Sequence, residues 1–512
     1  MYIVTAKEMY DIDHYTMQEI GMDGKLLMEN AGRAICERIE ASLNKGNRIT
    51  VLAGSGNNGG DGFVIARTLM NSRYEVHVVQ VVSDEKITGD ALYHKHLFLK
   101  CGGSLQTVTH EKDVNDMIVR SDIVVDAMIG IGIKGELRAP LNRIVSVLNH
   151  SNAYTVSVDI PSGLPADEEG GVPSAFTAVQ ADYTFVVGAP KMSAFLESTA
   201  PFYGEWERIS IGFPEAAFQK YTNRIVWGQE ETSQTMPDRK SYDHKGDHGR
   251  GLVIGGSTFM PGALAMTVKA ALRAGSGLMT AATSKQVIQM IASENIESTY
   301  VALAESNGHL TNDTPVAVDG YDAIALGIGM GRNKETSSLV HHTLHQAECP
   351  VVIDADGLYH TKLDLSILRA GSHPVIITPH PGEMAMLLDI SVHELLSKPF
   401  QYASDFARVH NVYVVLKGKH TIISAPDGKQ SVNTSGNPGL AKGGSGDVLT
   451  GIILAQIMQK QGIFQALCNA CFIHGKSADL LVEDTHSYHD LMASDVIDGI
   501  SNVYRRFSTL RD

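Results

Sequence analysis

The 512-residue chain has no uninterrupted apolar run approaching the roughly 20 residues of a membrane span. Its first stretch, MYIVTAKEMYDID, has acidic residues and no apolar segment, which argues against a secretory signal and predicts a cytoplasmic protein with no membrane partner. Positive charge is in deficit: 42 Lys and Arg against 57 Asp and Glu leave a net charge of −15. With no local basic patch, nucleic acid is not an expected partner. Cysteine is scarce, and the five residues Cys36, Cys101, Cys349, Cys468 and Cys471 are scattered and odd in number, which excludes a disulfide framework of the secreted kind. Cys468 and Cys471 form C-x-x-C near His474, yet their spacing in GIFQALCNACFIHGKSADLL puts them on an apolar helix face without a second ligand pair, so they are expected in the core. The phosphate-loop signature G-x-x-x-x-G-K-[ST] is also missing, so any nucleotide must use another glycine loop.

What is present is glycine in dense local groups. The segment Gly436 to Gly451, GNPGLAKGGSGDVLTG, joins such a group to one carboxylate and then to an apolar helical pattern. Gly443, Gly444 and Gly446 free backbone N–H groups to converge on one point, and the helix started by Val448, Leu449, Ile452 and Ile453 directs its positive end there. Asp447 falls on the first turn, either as an ordinary helix-start acid or as a general base beside a bound phosphate.

Length alone predicts at least two domains. Residues 5 to 43 carry helical periodicity in two pieces broken around Gly21 to Gly24, a leading helical arm. The apolar strand RITVLAG then runs into GSGNNGGDGFVIARTLM, and YEVHVVQVV supplies the next strand, which is a βαβ unit. Gly54, Gly56 and Gly59 satisfy G-x-G-x-x-G and Asp84 lies where a ribose-binding acid would be expected, so a dinucleotide site is suggested. The strands SDIVVDAMIG and YTVSVDIPSG place Asp126 and Asp159 at their C-terminal ends. In an open parallel sheet Asn57, Asn58, Asp61, Asp126, Asp159 and Ser162 would then meet in one crevice. Each alone is more simply a turn or cap residue; six together predict a site. The alternating pattern lapses over residues 212 to 240, where a domain boundary is expected. A second α/β layer follows, with AIALGIGMG, VVIDADGL, VIITPHPGE and VYVVLKGKHTII as its later strands and Lys417, Gly418, Lys419, His420 and Thr421 after the last, within reach of an adenylate phosphate.

Two families resemble these halves. Residues 1–215, through LMENAG, GSGNNGGDG, DAMIGIG and DIPSG, resemble NAD(P)H-hydrate epimerases. Residues 225–508, through HKGDHGRGLVIGGS, GALAMTVKAALRAGSG, DADGL, TPHPGE, KGKHT and GGSGDVLTG, resemble ADP- or ATP-dependent NAD(P)H-hydrate dehydratases, whose fold is similar to ribokinase. The resemblance implies a Rossmann-like parallel-sheet sandwich followed by a ribokinase-like α/β domain, in the order of the fused repair enzymes.

By position, the resemblance implies hydrate contacts at Asn57, Asn58, Gly59, Gly60 and Asp61, at the loop Gly130, Ile131, Gly132, Ile133, Lys134, Gly135 and Glu136, and at Asp159, the candidate acid or base of epimerisation. It implies potassium ligation by Asn58, Asp126 and Ser162, whose oxygens suit that ion. In the second half Ala263, Gly329, His380 and Asp447 match hydrate contacts, and Lys417 to Thr421 with Gly446 match nucleotide contacts, with the Gly443 to Gly446 amides on the transferring phosphoryl group. The implied reaction phosphorylates the hydrate hydroxyl from ADP or ATP, with Asp447 as base and magnesium accompanying the nucleotide, and phosphate loss then restores NAD(P)H. A homo-oligomer is implied as well. Ile131 and Lys442 depart from the family pattern, each standing where threonine is common. A ribokinase-type kinase for a vitamin precursor, an NAD-dependent dehydrogenase and a non-catalytic first half are the competing readings.

Overall fold

The computed structural model describes residues 1–508 apart from 42, 45, 109–110, 134, 169–176, 315 and 370. The chain divides between Arg224 and Ile225 into two compact units.

The leading arm enters the first unit as helix Ala6–His14, continues as one wider turn, Tyr15–Glu19, and resumes as helix Gly24–Glu40. Thr5 starts it with a capping box: its hydroxyl accepts from Glu8 N at 3.1 Å and its own N–H donates to Glu8 Oε2 at 2.8 Å. Along Gly24–Glu40 the buried residues Leu27, Met28, Ala31, Ile35, Cys36 and Ile39 recur at helical spacing. Each large side chain among them contributes about 1.5–3 kcal/mol by leaving water.

Seven parallel strands form the sheet: β1 (Arg48–Ala53), β2 (Glu75–Gln80), β3 (Leu105–Thr107), β4 (Ile123–Ala127), β5 (Tyr154–Val158), β6 (Tyr183–Val187) and β7 (Glu205–Ile209), in the order β3-β2-β1-β4-β5-β6-β7. β1, β4 and β5 are buried at nearly every position, as strands covered on both faces are. The order reverses between β1 and β4, so the chain leaves these two strands in opposite directions and opens a crevice at their C-terminal ends. The short β3 and the polar β7, EWERI, lack the apolar runs that marked the other strands.

The second unit carries a ten-stranded sheet built from β8 (Arg224–Trp227), β9 (Arg250–Ile254), β10 (Leu278–Ser284), β11 (Thr299–Leu303), β14 (Ala323–Leu326), β15 (Val351–Ile353), β16 (Val375–Ile377), β17 (Tyr413–Leu416), β18 (Thr421–Ser424) and β19 (Gln430–Asn433). Its order is β11-β10-β9-β14-β15-β16-β17-β18-β19-β8, while β12 (Glu305–Ser306) and β13 (His309–Leu310) form a separate hairpin. The strands from β11 to β17 are parallel; β17, β18 and β19 are antiparallel. VYVVLKGKHTII is therefore two strands, with the lysine-rich residues in the tight turn between them, where Thr421 Oγ1 donates to the Gly418 carbonyl at 3.2 Å. Helices Pro261–Arg273, Ser445–Ile457 and Ile463–Asp484 pack together in one core cluster of this unit, with Cys468 and Cys471 among its residues. Among the described residues no helix is long and apolar enough to cross a membrane.

Candidate active sites

In the first unit a cleft of about 1080 Å³ opens at the C-terminal ends of β1, β4 and β5. Helix Asn57–Asn71 begins at its floor, and Gly54 ahead of that helix packs against β4's exit so closely that a Cβ there would lie 1.8 Å from the Met128 carbonyl. Asn57, Asn58 and Asp61 line the cleft together with Gly130, Ile131, Gly132, Ile133, Glu136 and Asp159. Gly59 and Gly60 are buried in the helix's first turn, and neither they nor Gly135 are among the lining residues. Lys134 lies outside the described residues.

Asp126 and Ser162 lie just beneath. The Asp126 carboxylate is fully buried, accepting from Ser162 Oγ at 2.6 Å and Met128 N at 3.3 Å on one oxygen, and from Ser157 Oγ and Ser162 N, both at 2.9 Å, on the other. Burial pushes its carboxyl up, and the Ser162 and Ser157 bonds partly offset that. Asn58 is 7% exposed, and neither its amide oxygen nor its amide nitrogen has a partner among the described residues. Buried amides are almost always paired, so this one points to a missing ligand.

Asp159 adopts φ +67°, unusual for a residue with a side chain. Its Oδ1 accepts from Val187 N at 3.0 Å and from the ammonium of Lys191, which is itself completely buried. Two more carboxyls face this pair. Burial, with Asp159 and Asp13 adding, pushes Asp61 well above the usual range; burial raises Asp13 to about 6, with Lys191 opposing and Asp159 adding. Asp84 is not among the residues that line the cleft; Lys95 Nζ at 2.6 Å and Gln80 Nε2 at 2.9 Å both donate to its Oδ1. Sequence reasoning missed Asp13 and Lys191. Lys191 follows β6 as Asp126 and Asp159 mark β4 and β5, so the strand-end rule contained it; Asp13 adjoins the buried Ile12 on a helix not considered as a wall of the site.

In the second unit the polar residues again follow parallel strands: Gly329 after β14, Asp354 and Asp356 after β15, His380 after β16 and Lys417 after β17. Lys417 Nζ lies 2.9 Å from Asp354 Oδ1 and 3.9 Å from Glu383 Oε2, and Thr450 Oγ1 donates to Asp354 Oδ2 at 2.6 Å. Burial works to raise the Asp354 carboxyl, but Lys417 and Thr450 outweigh it and hold the group low. Lys417 is thus not the solvated lysine usual after a strand; Gly418 and Lys419 are exposed, and Thr421 is buried.

Gly444 is the N-cap of helix Ser445–Ile457 at φ +93°, a conformation that the segment's glycine content makes accessible. Gly446 follows so close to Lys417 that a Cβ on it would lie 3.4 Å from Nζ. Anion-seeking N–H groups and a lysine ammonium therefore share one spot. Asp447 sits beside them, its backbone carbonyl fixed by Thr267 Oγ1 at 3.0 Å and its carboxylate without a hydrogen bond among the described residues. Burial, then Asp354, raise this carboxyl to about 7, with Lys417 opposing. Ala263 and Gly329 adjoin, a Cβ on Gly329 falling 3.0 Å from that of Ala263. His380 is exposed and caps helix Pro381–Leu388, its Nδ1 accepting from Gly382 N at 3.0 Å. Lys442 is exposed and donates to the His489 carbonyl at 2.6 Å. Exposed Gly443 precedes the cap. Buried His474, held near 4 by burial, is a neutral imidazole rather than a cation for the site.

The comparisons with known proteins follow the same division. The family model described as YjeF-related protein N-terminus matches residues 24–193, and that described as NAD(P)H-hydrate dehydratase matches residues 251–501. The bifunctional NAD(P)H-hydrate repair enzyme of Moorella thermoacetica is 36% identical over 99% of this chain and 97% of its own. The crystal structure of the ADP/ATP-dependent NAD(P)H-hydrate dehydratase of Bacillus subtilis, co-crystallised with ATP and Mg2+, is 36% identical and covers 56% of this chain and 99% of its own with a TM-score of 0.51. A ribokinase-like superfamily protein of Enterococcus faecalis, 22% identical with a TM-score of 0.50 over 56% of this chain and 97% of its own, shares the fold. Matched along nearly its whole length, with both units accounted for, the chain belongs to the family of bifunctional NAD(P)H-hydrate repair enzymes.

Proposed function

We propose that residues 1–215 epimerise the R and S forms of NAD(P)HX at the hydrated nicotinamide carbon, and that residues 225–508 dehydrate S-NAD(P)HX to NAD(P)H with ADP or ATP. The observation that carries the second half is the juxtaposition of Asp447, raised to about 7, with the Gly444–Gly446 turn and Lys417. A carboxylate of that basicity takes the hydroxyl proton at neutral pH, while the turn's amides and the lysine ammonium hold the charge of the phosphoryl group in transfer. The carbon–oxygen bond to the phosphorylated oxygen then breaks with release of phosphate, and loss of a proton from the adjacent ring carbon forms the ring double bond of the reduced cofactor. Magnesium supplies charge neutralisation on the nucleotide phosphates.

In the first unit the unpartnered Asn58 amide above Asp126 and Ser162 fits a potassium ion, which takes several neutral and charged oxygens. Asn58, Asp126 and Ser162 would hold it, giving a fixed positive charge at the floor of the hydrate site. Asp159, kept in place by Lys191 and Val187, serves as acid or base at the hydrated carbon.

A mixture of both NADHX epimers, given to the purified protein with ADP and then with ATP, tests both halves through the absorbance of reduced nicotinamide. Full recovery is expected. No recovery with either nucleotide would overturn the dehydratase, and a stable phosphorylated product would make the second unit a kinase. Recovery that stops at the one-epimer fraction would remove the epimerase.

A further inference from the structure

The helix Ala6–His14 lies ahead of the stretch that the first family model matches, which begins at residue 24. It is nonetheless built into the cleft, with Tyr10 and Asp13 lining it beside Asp61, Asp159 and Lys191. Its placement is fixed from several sides. Val4 pairs as a β-bridge with Lys191, Val4 N donates to the Pro190 carbonyl at 3.0 Å, Ala6 N donates to Asp167 Oδ1 at 2.7 Å, and Glu8 is ion-paired with Arg224. The residues that lead into the helix are thus bonded to the segment that carries Lys191.

Three carboxyls, Asp13, Asp61 and Asp159, with the Tyr10 hydroxyl, face one ammonium in a largely buried cluster. Like charges so placed do not all ionise together. Lys191 and the Val187 amide both donate to Asp159, whereas burial pushes the Asp13 and Asp61 carboxyls up. Asp61 is 8% exposed, whereas Asp13 is only half-buried and lines the cleft. A carboxylate and a protonated carboxyl side by side, set apart by their surroundings, are the two halves of acid–base catalysis. The unpartnered Asn58 amide lining the same cleft independently marks it as a ligand site.

Resting on the epimerase reading of this unit, we propose that Asp13 is the general acid of epimerisation and Asp159 the base. Asp159 takes the proton from the hydroxyl on the hydrated ring carbon. The carbon–oxygen bond becomes a carbonyl as the bond from that carbon to the ring nitrogen breaks, and the electron pair left on nitrogen takes the proton of Asp13. Rotation about the neighbouring carbon–carbon bond presents the other carbonyl face. The nitrogen adds back and returns its proton to Asp13, and the oxygen recovers its proton from Asp159. Both carboxyls end as they began, and no water, oxidant or reductant is consumed.

The test follows conversion of R- to S-NADHX chromatographically with the full chain and no nucleotide. The wild-type rate should fall on the alkaline side as Asp13 loses its proton. Asp13→Asn should lower kcat by roughly 10² to 10⁴ with little change in KM and abolish that alkaline limb, and Asp13→Glu should restore most of the rate and the limb. A near-wild-type kcat with the limb intact in Asp13→Asn would overturn the proposal, as would an Asp13→Glu that folds, by its thermal transition, without regaining rate. Wild-type protein that leaves R-NADHX unchanged would overturn the epimerase reading beneath it.

Discussion

Lys417 and Asp354 form a buried ion pair at 2.9 Å, with Asp354 1% exposed and Thr450 on its other oxygen. The pair spans the exits of β15 and β17, the two strands that flank β16. Removing one partner of such a pair leaves an uncompensated buried charge and typically costs 3–5 kcal/mol, although replacing both is often neutral. Lys417→Met should therefore lower stability by about that amount in a urea titration and lower dehydration of S-NADHX by at least ~10²-fold. Adding Asp354→Asn to it should recover most of the stability and none of the rate. A Lys417→Met enzyme with full turnover would remove the lysine from the phosphoryl site.

Asp447 separates a catalytic role from a helix-start role by the sign of its effect on stability. Its carboxyl titrates near 7 in the folded chain against an ordinary value of 3.8, because burial and Asp354 disfavour the charge. A raised carboxyl stabilises the fold while protonated, fully at pH below its unfolded value, and that stabilisation is lost as pH rises through about 7. At pH 8 Asp447→Asn should therefore raise stability by on the order of 1–3 kcal/mol while lowering dehydration by roughly 10² to 10⁴. The wild-type kcat/KM should climb through about pH 7, and the variant's residual rate should not. A helix-start role alone would give the reverse, a stability loss of about 1 kcal/mol with turnover of the folded protein nearly intact.

Gly446→Ala probes the anion turn without touching a charge. The new methyl would lie 3.4 Å from Lys417 Nζ, in the space assigned to phosphate oxygens. Alanine is the better helix former by up to ~1 kcal/mol, so thermal stability should hold or rise. The KM for ADP or ATP should rise by about 10-fold. An unchanged KM would place the phosphates elsewhere.

How legible these sites were depended on where each residue stood in its element. Strands β1, β4, β5, β9, β14 and β15 are short apolar runs that end in glycine or acid, so the parallel sheets and the exit residues Asp126 and Asp159 could be read directly; Gly329 came only with the family resemblance, and Asp354, at the end of the VVI run, was not singled out. β7 and β3 could not, since one is polar and the other three residues long. The turn at Lys417 to His420 was hidden inside a continuous apolar-flanked run, and only the pairing of β17 with β18 reveals it. Lys191 follows β6 and fell within the strand-end rule without being singled out, whereas Asp13 escaped because its place in the cleft depends on a tertiary relationship, the bridge between Val4 and Lys191, which no local pattern encodes. Lys442 had left open whether it faced phosphate; its bond to the His489 carbonyl comes from a loop 47 residues away.

Asn58 tests the cation. A buried amide with neither atom paired costs the fold about 1–3 kcal/mol, so with no ion bound Asn58→Ala should be neutral or stabilising. If potassium occupies the position, wild-type stability should rise with its concentration as binding to the folded state alone requires, and the rise should exceed that in sodium. In Asn58→Ala the potassium-dependent increment in the thermal transition should shrink sharply, and epimerisation should fall by at least ~10-fold while dehydration of S-NADHX stays the same. Because the variant loses a destabilising orphan as well as a ligand, the two proteins should rank oppositely: the variant equal or more stable without potassium, the wild type more stable with it. Melting curves that do not respond to potassium in either protein would leave Asn58 as an unpaired amide and refute the ion.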